Sequence, residues 1–183
     1  DGTHDSPKQS EIGFPLVTSK HITTGVLNLN DTYLISADDF EKVNQRSKVA
    51  QFDILLTMIG TVGSPYLVMQ SNVNFAIKNV GLFRTSQVKE LRYFFYLLLK
   101  SNEMQIYLDS RMAGTTQKYL SLKVLRNIEF VVPSKKILLA FDFLIDPIMK
   151  EIKKLTDENE CLALLRDSLL PKLLSGEIGL SEE

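Results

Sequence analysis

The sequence predicts an α+β chain: a mixed, mostly β domain over residues 1–133 with a short helical insert, then a long α-helix over 134–183 that pairs as a coiled coil. Three observations carry this. With 183 residues, 44% of them apolar and 23% charged, the chain can fill one sizeable core and still carry an appendage. Up to Val132 the apolar residues come in short β-branched or aromatic runs bounded by Gly, Pro, Asn, Asp or Ser, as strands are. Past Val131-Val132-Pro133-Ser134 the apolar period changes from two to about 3.5.

Strands are expected at 14–18, 53–59, 66–69, 80–83 and 128–132. Gly60-Thr61-Val62-Gly63-Ser64-Pro65 separates two of them, and its two glycines permit a tight connection with positive φ. Residues 88–99, with Ser86 as N-cap, are apolar along their length and predict a buried helix. Ser101 or Asn102 then caps a second short helix ending near Asp109. In the C-terminal region Phe141, Ile145, Ile148, Ile152, Leu155, Asn159, Leu162, Arg166, Leu169 and Leu173 alternate in steps of four and three. That is the a/d seam of a coiled coil. Asp146-Pro147 reads as N-cap plus first helical residue, so the helix is expected to restart there with a bend. Residues 147–170 would span about 36 Å at ~1.5 Å per residue. Such a seam needs a partner helix; the alternative is a terminal amphipathic helix folded onto its own domain. Asn159 and Arg166 within the seam cost stability and fix register and orientation.

Catalytic patterns are scarce. Cys161 is the one cysteine, which excludes an intramolecular disulfide, and no CxxC or His/Cys cluster points to zinc. No apolar run approaches the ~20 residues of a membrane span. The opening DGTHDSPKQS shows no leader, which predicts a cytoplasmic protein and suggests a fragment. His4 and His21 lie in loop-like segments; GxSxG, HExxH, P-loop and GxGxxG patterns are absent, as is the NPPY/DPPY motif of adenine methyltransferases. Asp38-Asp39 sits beside helix-starting signals, where capping accounts for it. No catalytic residue, metal ligand or resident cofactor is therefore expected. Net charge is −1, but residues 78–126 hold nine basic side chains against three acidic ones. A cationic middle of this kind can neutralise phosphates.

Polar loops lie between the apolar strands: 1–7, 18–21, 60–65 and 114–118. Their hydroxyls, amide and lysines beside glycines suit hydrogen bonding to phosphates and base edges. The candidate DNA contacts are Thr3, His4, Lys20, His21, Thr61, Ser64, Lys78, Thr115, Thr116, Gln117 and Lys118. Gln117 can pair with adenine through two hydrogen bonds, and Lys118 can reach phosphate or guanine.

Taken in order, DGTHDSP at 1–7, FPLVTSKHITTG at 14–25, FDILLTMIGTVGSPYLV at 52–68, NFAIKNVGLFR at 74–84, GTTQKYLSLKVLRNIEFVVP at 114–133 and LRDSLLPKLLSGEI at 165–178 resemble the specificity (S) subunit of type I restriction–modification enzymes. The resemblance implies a target recognition domain followed by a conserved spacer helix. In that family a full subunit holds two such units whose helices pair antiparallel, and each domain reads one half of a bipartite DNA sequence. The subunit positions methylation subunits holding S-adenosylmethionine and restriction subunits using ATP and Mg, and performs no chemistry itself. One domain and one helix amount to half of that pattern, and LLPKLLSGEI resembles the family's C-terminus. The distal half of a subunit or a stand-alone half-subunit is thus expected. It would pair as a homodimer, or with another half, through Ile148, Ile152, Leu155, Asn159, Leu162, Arg166 and Leu169. The alternative from a different class is a non-catalytic protein-interaction adaptor acting through its coiled coil.

Overall fold

The structure, a computed structural model, describes residues 6–23 and 25–179. In chain order the elements are β1 (Phe14–Val17), β2 (Ile22–Thr23), β3 (Val26–Leu27), β4 (Leu34–Ile35), α1 (Ala37–Ser47), β5 (Ile54–Thr57), β6 (Pro65–Leu67), β7 (Ala76–Ile77), β8 (Val80–Phe83), α2 (Arg92–Lys100), α3 (Asn102–Asp109), α4 (Leu122–Arg126) and α5 (Lys135–Leu174). Single 3-10 turns occur at Ser19–His21, Thr85–Gln87 and Lys89–Leu91. This is the α+β architecture expected.

All four residues of β5 are buried, so it takes the centre of an antiparallel sheet between β6 and β8. A second sheet places β1 between β4, antiparallel, and β7, parallel; β2 and β3 form a small hairpin. Val17, Ile22, Leu55, Val68, Phe75, Ile77 and Val80 join the strands into one core cluster. A second cluster, Leu16, Ile35, Val43 and Ala76, seats α1. Ser36 caps α1 by accepting the Asp39 N–H at 3.1 Å, and Asp38 and Asp39 fill its first turn, favourable positions for carboxylates. The buried Asp53 carboxylate accepts the N–H of Ala50 at 2.9 Å and of Ser86 at 3.1 Å.

Four expectations are corrected. Residues 128–132 form no strand: Ile128 and Phe130 are half-buried on one side and Val131 and Val132 are exposed, with no ladder partner. An extended segment packed on one side has the same period of two as a strand. Phe130 there meets Phe94 and Phe95. The helix expected at 88–99 begins at Arg92, because 3-10 turns occupy 85–91 and the Ser86 N–H is bound to Asp53 instead of opening a helix. Ser101 does cap α3, accepting the Met104 N–H at 3.2 Å. α5 does not restart at Pro147 but runs through it, and Pro171 also lies inside it. Asp146 makes an i,i+4 pair with Lys150 at 2.6 Å. Finally, Phe141 is not free for a seam: it packs edge-on to Phe94 at 6.2 Å.

The chain divides into two compact units, one ending at Asp142 and one starting at Phe143. The first turns of α5 belong to the first unit. There Asp142 receives a forked pair of bonds from Arg92 at 3.1 and 3.0 Å, and the guanidinium lies over the Phe52 ring at 4.2 Å. In the second unit Ile148, Ile152, Leu155 and Leu162 are each half exposed. Asn159 and Arg166 are also exposed, and Arg166 pairs with its neighbour Asp167 at 2.7 Å.

Candidate nucleic-acid interface

Ser19 stitches together three segments that carry candidate loops. Its hydroxyl is 5% exposed, donates to the Asn79 carbonyl at 3.1 Å, and accepts the N–H of Met58 at 3.1 Å and of Ile59 at 3.4 Å. Asn79 has φ 54°, a left-handed conformation that asparagine tolerates better than most residues. Next to it, the Lys78 N–H bonds the Val17 carbonyl at 2.8 Å, and the Lys78 Nζ donates to Ser6 Oγ. Loops 18–21 and 78–79 and the start of the 58–65 loop therefore share one anchor.

The 58–65 loop is braced from within and from α3. Gly60 and Gly63 have φ 79° and 84°, as a tight connection requires. Thr57 Oγ1 donates to the Thr61 carbonyl and accepts the Ser64 N–H at 2.9 Å. Gln105 Nε2 donates to the Gly63 carbonyl at 3.0 Å. The Thr61 hydroxyl reaches the Ile22 carbonyl at 3.5 Å. Thr61 is exposed and Ser64 half-buried.

The 114–118 loop is closed by a reciprocal pair: Ala113 and Tyr119 exchange both N–H···O bonds at 2.9 Å. Gly114, φ 95°, allows this closure, since a Cβ there would sit 2.2 Å from the Gln117 carbonyl oxygen. Leu120, buried, donates its N–H to the Met58 carbonyl at 2.9 Å, and Tyr119 bridges Ile59. This docks the loop on the segment that Ser19 holds. Thr115, Thr116, Gln117 and Lys118 are all exposed. A shallow pocket of about 260 Å³ between these segments is lined by Met58, Ile59, Asn79, Tyr119 and Leu122.

Hydrogen bonds thus tie the segments that carry Lys20 and Lys78, and the strand end that follows the 114–118 loop, to Met58 and Ile59, at the start of the loop that carries Thr61 and Ser64. His21, in the first of these segments, is not exposed. Its ring is 2% exposed and Nδ1 accepts the Thr18 N–H at 2.9 Å, so it shapes the turn beneath Lys20 instead of facing solvent. Burial lowers its proton affinity, with the Lys20 charge adding to the effect and the Asp31 backbone and carboxylate opposing it. Among the described residues its Nε2 has no hydrogen-bond partner. Thr3 and His4 lie outside the described residues. The positioning roles of Ser19, Asn79 and Gln105 are not marked by any spacing in the sequence; only the fold brings them to the loops. Among the described residues no group of three or more His, Cys, Asp or Glu could hold a metal, and no helix is long and apolar enough to cross a membrane.

Comparison with known proteins fits this geometry to a family. Residues 5–162 match the type I restriction modification DNA specificity domain, and the chain belongs to that family. It is 31% identical over 107 residues to the type I restriction enzyme MjaIX specificity subunit of Methanocaldococcus jannaschii, covering 58% of this chain and 24% of that protein. It is 38% identical over 86 residues to the HindI specificity subunit of Haemophilus influenzae, 46% of this chain and 19% of the relative. The EcoBI specificity subunit of Escherichia coli is 31% identical over 123 residues, 67% of this chain and 26% of its own length. The chain therefore spans about a quarter of the length of these relatives.

Proposed function

We propose that the chain is a sequence-specific recognition module for double-stranded DNA that reads one half of a bipartite target. The observation that carries this is the convergence of the 18–21, 58–65, 78–79 and 114–118 segments through Ser19 and Leu120. Exposed hydroxyls, an amide and lysines there can contact base edges and phosphates, and the shallow apolar pocket beside Tyr119 suits a thymine methyl. Membership of the specificity-domain family supports the same reading. The module contributes recognition, not chemistry. In a type I complex it would position methylation subunits that bring S-adenosylmethionine and restriction subunits that bring ATP and Mg. The second unit supplies the spacer: its half-exposed Ile148, Ile152, Leu155 and Leu162 favour antiparallel pairing with a sister helix, which is a second copy when the chain is alone.

The test is anisotropy titration of labelled duplexes over a range of salt. Specific binding that survives excess unrelated duplex and weakens steeply with salt is expected. Binding to no duplex, or equal binding to every duplex, would contradict the reading.

A further inference from the structure

On the α1 side of the same unit lies a second cationic feature, lined by residues that the sequence did not mark as DNA contacts. The i, i+3, i+4, i+7 spacing of Asp39, Lys42, Val43 and Arg46 places them on one face of α1. All four line a cleft of about 480 Å³ together with Ser6, Pro7 and Lys8, and Val43 also packs into the core. Among the described residues, three cations line the cleft with one carboxylate. Asp39 is engaged by Lys42 at 3.6 Å, and among the described residues Lys8 and Arg46 make no ion pair. The cleft is joined to the candidate interface through Ser6, which accepts a bond from Lys78 Nζ. At its far end the Arg84 guanidinium donates to the Arg46 carbonyl at 2.9 Å and adds a further positive charge beside the helix C-terminus. Lys8, Lys42 and Arg46 thus line the cleft, and Lys78 and Arg84 bond to residues of its lining.

We infer that this cleft is a phosphate track: it holds the duplex backbone flanking the bases that the loops read. The inference rests on the DNA-recognition reading and extends it to residues with no base-reading role. Cations spaced along a cleft contact successive phosphates without regard to sequence, and the pairing of Lys42 with Asp39 makes that carboxylate the limiting feature of the track.

Two variants of the full chain test it. Asp39→Asn removes the one carboxylate that lines the cleft among the described residues and releases Lys42; the α1 cap survives, because Ser36 is bound by the Asp39 backbone N–H. The combined Lys8→Gln and Arg46→Gln variant removes two phosphate contacts; the Arg84 bond survives, because it uses the Arg46 carbonyl. On a random-sequence duplex, Asp39→Asn should bind tighter and steepen the slope of log affinity against log salt by up to about one. The double variant should flatten that slope by about two and weaken all sequences alike. A gain of affinity in Asp39→Asn cannot come from misfolding. If both variants keep the slope and affinity of an unaltered chain that binds duplex, the track is overturned and the loop reading stands. If the unaltered chain binds no duplex, the reading and the track fall together.

Discussion

Replacement of Ser19 by alanine removes the hydroxyl that joins three loops. Its loss leaves the Met58 N–H and the Asn79 carbonyl without their partner, and also the weaker bond from Ile59 at 3.4 Å. Met58 is 8% exposed, so solvent does not easily reach its N–H, whereas Asn79 is exposed and its carbonyl can turn to water. A buried polar group left unsatisfied costs about 1–3 kcal/mol, and the Met58 N–H is the group that bears this cost. Against a total of roughly 5–15 kcal/mol for a domain, this is a large fraction. Urea unfolding followed by tyrosine fluorescence is the assay. The chain has no tryptophan, and all six tyrosines precede Phe143, so the signal reports the first unit alone. A shift below about 0.5 kcal/mol with an unchanged denaturant slope would show that Ser19 does not hold the loops.

Gln117→Ala should relax the preference at one base position by roughly 1–3 kcal/mol, measured by affinity for duplexes differing at single pairs. Lys118→Ala should instead weaken every sequence and flatten the salt slope by about one. His21 has its proton affinity lowered by burial, so the unfolded chain binds the proton better. Its contribution to stability is whole above pH 6.5, its ordinary value, and is lost as the pH falls below that. Urea midpoints from pH 8 to 5 should decline for the unaltered chain and decline less for His21→Gln. Leu155→Asp combined with Leu162→Asp should convert a dimer into a monomer in sedimentation equilibrium and leave the tyrosine unfolding curve in place. A monomer for the unaltered chain would exclude self-pairing of α5.

The strands at 14–17, 54–57, 65–67 and 80–83 were legible because short β-branched or aromatic runs were bounded by glycine, proline, asparagine, aspartate or serine. α3 was legible from Ser101, a side-chain cap that acts within its own segment. Local signals failed where the decision was made by distant groups. Asp53 took the Ser86 N–H and so turned a plausible helix start into a 3-10 turn. Phe94 and Phe95 offered Phe130 a packing partner but no strand edge, so an alternating run stayed outside any sheet. Pro147 read as a restart because a proline suits the first turn, yet the helix accommodates it in mid-course. At the interface, the exposed 114–118 loop was visible from its glycine and polar residues. The burial of His21 and the linking role of Ser19 were not, since both depend on segments up to 60 residues away.

The central claim is that the loops gathered by Ser19 read base sequence. Selection of bound duplexes from a random pool, run in parallel with the unaltered chain and with Gln117→Ala, tests it most directly. One short sequence enriched by the unaltered chain, with a relaxed position within it for the variant, is expected. Enrichment of no sequence, or of an identical one by both proteins, would contradict it.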